Sequence, residues 1–115
     1  MTGATERLFA GLDRRGHEPL LEHLDGTLRF EISDGERTDE WSVRTERGDL
    51  RVSRERVDAD CVVRSTRALF EDLADRRTDG ITAMLRGELM FDGDPEMLVL
   101  VQRIFKVPAE VAGRE

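Results

Sequence analysis

The sequence predicts an α+β domain in which helices pack on one face of a sheet. Runs with an apolar residue at every second position fill the middle of the chain. Apolar residues at helical spacing precede that middle and return after it, and Asp-Gly pairs punctuate the boundaries. The resulting order is helix, three strands, strand, helix, strand, helix, a pattern of segregated layers.

At the front, Thr5 is placed to cap a helix, Glu6 sits in its first turn, and Leu8, Phe9 and Leu12 share a face. Gly16 interrupts this helix. Pro19 suits the first turn of a second short helix with Leu20, Leu21 and Leu24 as its apolar side, stopped by Asp25-Gly26. In residues 27–32, Leu28, Phe30 and Ile32 alternate with polar residues, and Asp34-Gly35 marks a turn. Trp41 and Val43 alternate likewise in residues 40–45; after the turn at 46–49, Leu50 and Val52 stand two apart. These three runs predict an antiparallel meander with one wet face. Cys61-Val62-Val63 is consecutively apolar, as expected of a strand buried on both sides and central in its sheet.

Ser65 or Thr66 caps the next helix, whose face is Leu69, Phe70 and Leu73. A helical turn around Ile81, Met84 and Leu85 ends at Gly87. Residues 88–91 read as a fifth strand with Leu89 and Phe91 on one side. Asp94 then caps a last helix, Pro95 takes its first position and Glu96 favours its dipole. From Met97 through Leu98, Val99, Leu100 and Val101 to Ile104 and Phe105, this helix is apolar nearly all round, whereas a surface helix needs one stripe.

At 115 residues the chain supports one domain, taken as 1–107, followed by a short tail at 108–115. Charged residues make up 37%, above the usual ~25%, so the surface is densely charged. Eighteen basic residues against 25 acidic ones leave a net charge of −7, which argues against nucleic acid and against an anionic membrane surface as partners. The chain opens without the apolar run of a secretory leader, and no stretch suffices to span a bilayer. A soluble cytoplasmic protein without stable membrane insertion is the expectation, and the single cysteine fits a reducing compartment.

Candidate chemistry is sparse. His17 and His23 lack metal-ligand spacing and read as solvated or capping residues; Cys61 reads as a small buried hydrophobe. Asp92-Gly93-Asp94 lacks the further ligands of a calcium loop and reads as a strand-end turn with a helix cap. Glu31, Glu40 and Glu71 are better explained as solvated carboxylates than as general acids. Arg14-Arg15 and Arg76-Arg77 read as solvated helix ends, with docking of a phosphate or coenzyme tail as the alternative. Trp41, and the set Phe70, Met84, Met90, Phe91, Met97 and Phe105, suit either plain core or the lining of an apolar cavity. No metal, no cofactor and no catalytic residue is expected.

Several weak motifs occur in one order. Ala59-Asp60 precedes a strand, Ser65-Thr66 opens a helix holding Phe70 and Leu73, and GxLxxxGD appears as Gly87, Leu89 and Gly93-Asp94 before the final helix. With LDGTLRFEISDG, WSV and GDLRVS in the front half, the chain over roughly residues 5–105 resembles the sterol carrier protein type 2 domain family, most of all its short stand-alone bacterial members. Where the family carries lysines around GxLxxxGD, this chain has Arg86 and Glu88.

The resemblance implies a five-stranded mixed sheet with helices against one face and a hydrophobic tunnel between them. It implies non-catalytic binding or transfer of a lipid or other hydrophobic small molecule, such as a fatty acid, fatty acyl group or sterol. The expected lining is Phe30, Ile32, Trp41, Val43, Phe70, Leu73, Met84, Leu85, Leu89, Phe91, Met97, Leu100, Val101, Ile104 and Phe105. The alternative is an interaction module whose apolar last helix pairs with a partner or forms a homodimer over a filled core.

Overall fold

The period-two runs become five strands of one sheet. They are β1 (Gly26–Asp34), β2 (Arg37–Glu46), β3 (Asp49–Ser53), β4 (Cys61–Thr66) and β5 (Met90–Gly93), in the order β3-β2-β1-β4-β5. The computed structural model describes residues 3–103, apart from the side chain of Leu20. The first three strands form the antiparallel meander, β4 runs parallel to β1, and β5 closes antiparallel to β4, so the sheet is mixed. The central strand is therefore β1, not the apolar run at Cys61. Leu28, Phe30 and Ile32 are fully buried on its inner face, whereas β4 alternates: Cys61 and Val63 are buried, Val62 only half so.

The helices lie against the inner face. Helix α1 (Ala4–Arg15) rests on β3 and on α2 (Arg67–Ala74), and α2 lies over β1 and β4. The cap of α1 is Gly3 rather than Thr5, which sits buried inside the first turn. The leucine-rich stretch after it makes one 3₁₀ turn, Pro19–Leu21, instead of a second helix. Thr66 caps α2 by accepting a hydrogen bond from the Leu69 N–H at 3.2 Å. Arg67, half-buried at the head of α2, ties the layers together through Asp39 of β2, Asp34 at 3.4 Å and Glu71 at 3.5 Å. A short α3 (Gly80–Leu85) follows, and after β5 a 3₁₀ turn at Pro95–Met97 leads into a helix, α4, over residues 98–103.

The outer face of the sheet is polar and strapped. The link from β3 to β4 crosses it in extended form: Ser42 Oγ donates to the Glu55 carbonyl at 3.1 Å and Arg29 to the Val57 carbonyl at 2.8 Å. Beside the strap, Glu31 is bracketed by Arg29 at 3.3 Å and Arg64 at 3.0 Å.

The paired motifs at Asp60 and Gly93-Asp94 form one joint. Asp60 Oδ2 accepts from the Thr27 N–H at 2.8 Å, while its carbonyl accepts from the Asp94 N–H at 3.0 Å. Gly93 has φ +133°, and a Cβ there would stand 2.3 Å from the Asp60 carbonyl oxygen, so only glycine allows β5 to pass this close. Asp94 then caps the following turn through the Glu96 N–H at 2.9 Å. This brings Met97, 1% exposed, under Gly26 at the start of β1 and fixes where α4 begins.

Candidate functional site

Between the sheet and helices α1 and α2, the interior is filled by rings. Phe9 stacks on Trp41 with centroids 4.4 Å apart and on Phe70 at 5.7 Å, and meets Phe30 edge-on at 5.3 Å. Phe30 and Phe70 meet edge-on at 5.5 Å. Arg54 lies over the outer face of the Trp41 ring, 4.1 Å from its centroid.

The space opens further along the helix layer, where α2 ends. There α3 and α4 bound a cleft of about 280 Å³. Its apolar wall is Leu73 from α2, Ile81 and Met84 from α3, and Leu98 and Val101 from α4. Leu73 and Val101 are each 2% exposed and Ile81 is 44% exposed, which makes the first two floor and the third rim. Helical spacing accounts for the pairs: Ile81 and Met84, like Leu98 and Val101, stand three apart and share a face.

Arg76, Thr78, Asp79 and Gln102 complete the lining. Asp79 caps α3, accepting from the Thr82 N–H at 2.9 Å and from its hydroxyl at 2.8 Å, and these hydrogen bonds hold its carboxyl below the usual range. Arg76 occupies the left-handed region with φ +66° in the turn that leaves α2. Its neighbour Arg77 pairs with Asp72 at 2.9 Å and Asp75 at 3.3 Å.

Of the residues expected to meet a ligand, the structure gathers Leu73, Met84 and Val101 in this cleft. Phe30, Ile32, Val43, Phe70, Leu89, Met97 and Leu100 belong to the buried core, with Phe91 packed at its edge. Trp41 is half-buried at the opposite end, beside Ala10 and Val52, and Leu85 is 84% exposed. Ile104 and Phe105 lie outside the described residues. Val99, from the all-round apolar stretch, faces solvent at 54% exposure. Leu98, Ile81, Arg76 and Gln102 enter the site without having been singled out for it. The i, i+3 pairs were a readable signal for the first two; the arginine was visible only as half of the Arg76-Arg77 pair, which reads first as a solvated helix end.

The groups that invite chemistry sit elsewhere. Cys61 is buried in the sheet, and desolvation pushes its thiol up to about 11. His17 bridges Asp49 at 2.7 Å and Glu22 at 3.3 Å on the surface. Glu40 pairs with Arg56, and Glu71 with Arg67. Among the described residues no cluster of three or more His, Cys, Asp or Glu is arranged to hold a metal, and no helix is long and apolar enough to cross a membrane.

This architecture and the motifs behind it match a described family: the profile of the SCP-2 sterol transfer family fits residues 6–106. The chain belongs to the SCP-2 sterol transfer family. No curated protein sequence matches it. Solved structures of SCP-2 proteins share its fold. Sterol carrier protein 2 of Aedes aegypti, solved in complex with the C16 fatty acid palmitate, is 16% identical, with a TM-score of 0.70 over 92% of this chain and 97% of that one. Apo sterol carrier protein 2 of Yarrowia lipolytica is 16% identical, with a TM-score of 0.67 over 92% and 93%. The same SCP-2 fold matches part of a stereoselective inverting sec-alkylsulfatase of a Pseudomonas species at 25% identity and a TM-score of 0.54; it covers 70% of this chain but 12% of that enzyme.

Proposed function

We propose that this SCP-2 domain binds and carries a lipid or similar hydrophobic small molecule, without a chemical step of its own. The observation that supports this most directly is the apolar cleft between α2, α3 and α4 in a chain of this family. Its volume of about 280 Å³ falls just below the roughly 300–1,000 Å³ of drug-sized ligand sites, and suits one alkyl chain better than a fused ring system.

Each methylene moved from water into the cleft gains about 0.8 kcal/mol, while association costs ~4–15 kcal/mol. Micromolar affinity with poor discrimination of chain length follows, since one methylene changes binding by only ~1–3 kcal/mol. Native mass spectrometry of protein purified from its own host is expected to show a co-purified apolar ligand, displaced by a fluorescent fatty acid. A clean apo spectrum together with no uptake of the probe would end this reading.

A further inference from the structure

We propose that the outer edge of β5 docks an extended basic segment of another protein, which joins the sheet as a further strand beside β5. The two edges of the sheet are unlike. Along β3 and the turn before it, the chain leaving α1 lies alongside: the Leu50 N–H donates to the Gly16 carbonyl at 2.9 Å, the Glu18 N–H to that of Gly48 at 2.7 Å, and His17 bridges Asp49. β5 pairs with β4 from Met90 opposite Arg64 to Gly93 opposite Cys61, and among the described residues no backbone group outside β4 bonds to it. The far side of β5 is therefore open to a strand laid against it, the arrangement by which a sheet edge takes an extended peptide.

The side chains at this edge select the partner by charge. Residues 88–96 carry Glu88, Asp92, Asp94 and Glu96 and no cation. Asp94 is engaged in its cap, but Glu88 and Glu96 are exposed and Asp92 only approaches Arg64, at 3.7 Å. Met90 stands among them, 55% exposed. From Glu88 and Met90 a groove of about 290 Å³ crosses the outer face past Arg64 to Ser33 and Thr38, and Glu31 already neutralises Arg64 at 3.0 Å. A lysine or arginine of the added strand can lay its aliphatic stem on Met90 and its charge beside Glu88. A second copy of this chain, paired edge to edge, would set the same carboxylates against one another.

The test titrates the full chain, isotope-labelled for NMR, with a six-residue peptide of alternating arginine and valine, at low ionic strength so that exposed charges are not screened. Amide shifts should centre on Met90–Gly93, and the peptide should bind at least about tenfold more tightly than its glutamate–valine counterpart. Glu88→Lys should weaken the arginine–valine peptide about fivefold, whereas Glu36→Lys, an equal charge change in the exposed turn between β1 and β2, should leave it unchanged. Proline in place of each valine keeps the peptide's charge but removes strand hydrogen bonding, and should abolish binding. No binding of the arginine–valine peptide would leave the acidic residues as guards against aggregation and overturn the proposal. So would equal binding of the glutamate or proline versions, or shifts centred away from β5.

Discussion

At the α1 end of the helix layer, Phe9, Phe30, Trp41 and Phe70 close against one another with ring centroids 4.4 to 5.7 Å apart. At the α3 end, Leu73, Ile81, Met84, Leu98 and Val101 come within reach of one another and leave about 280 Å³ between them. Both ends draw on apolar side chains from the same helix, α2, whose Phe70 serves the first and Leu73 the second. Flat, rigid rings stack into a solid, and α1 spans 12 residues above them. The six-residue α3, tethered by turns, cannot cover its share of surface, and thin aliphatic side chains do not bridge the gap. One end of the domain is thus a packed solid, and the other leaves the space in which a ligand is proposed to sit.

The largest effect should come from breaking the closed end. Phe70 is fully buried among two other rings, and Phe70→Ala is expected to cost ~3–5 kcal/mol in urea unfolding. Met84→Ala, which trims a half-buried wall of the cleft, should cost about 1 kcal/mol. Equal losses at the two sites would erase the distinction between a packed end and an open one.

That distinction was only partly legible in the sequence. Alternation and turn pairs gave the meander, and the joint spacing of Asp60 with Gly93-Asp94 marked the family, because both are local or fixed by a close backbone approach. The apolar triplet at Cys61 misdirected. Pairing depends on partners distant in sequence, and Val62 turns outward beside Arg29 and Asp92 while β1 takes the centre. The cleft was harder still. Helical spacing shows which residues of α3 and α4 share a face, but whether that face meets rings or empty space depends on how α2, α3 and α4 are spaced by their turns. The placement of Arg76 is set by a single left-handed residue that no pattern announces.

A smaller effect on stability, but a decisive one on binding, is expected from filling the cleft. Leu98 lines it and is half-buried, so Leu98→Trp can project a ring into the space at a cost of ~1–3 kcal/mol or less. Uptake of a fluorescent fatty acid should fall at least about tenfold, the equivalent of ~1.4 kcal/mol. The native Trp41, the sole tryptophan, reports on the other end, and its emission should not move when the wild type is titrated with ligand. A large change in Trp41 emission on binding would place the guest among the rings and reverse the assignment of the two ends.

The smallest effect is a pH dependence confined to the closed end. Where α1 runs into the sheet, the Glu18 N–H donates to the Gly48 carbonyl at 2.7 Å and the Leu50 N–H to that of Gly16 at 2.9 Å, so a short bridge ties the helix exit to the turn before β3. His17 stands in that bridge with Asp49 on one ring nitrogen and Glu22 on the other, and hydrogen bonds to Asp49 first and Glu22 second raise its pKa above the ordinary 6.5. A group whose pKa is raised on folding adds stability that is complete below its unfolded value and is lost as pH climbs through its folded value. The urea midpoint should therefore decline slightly as pH rises from about 6 through the raised folded-state value, and His17→Gln should flatten that decline. Because the ring is exposed the change is small, and because it lies at the far end from the cleft, dodecanol affinity should stay constant over the same range. A decline that persists in His17→Gln would assign it to other groups, and a parallel change in dodecanol affinity would mean that the two ends are coupled rather than separate.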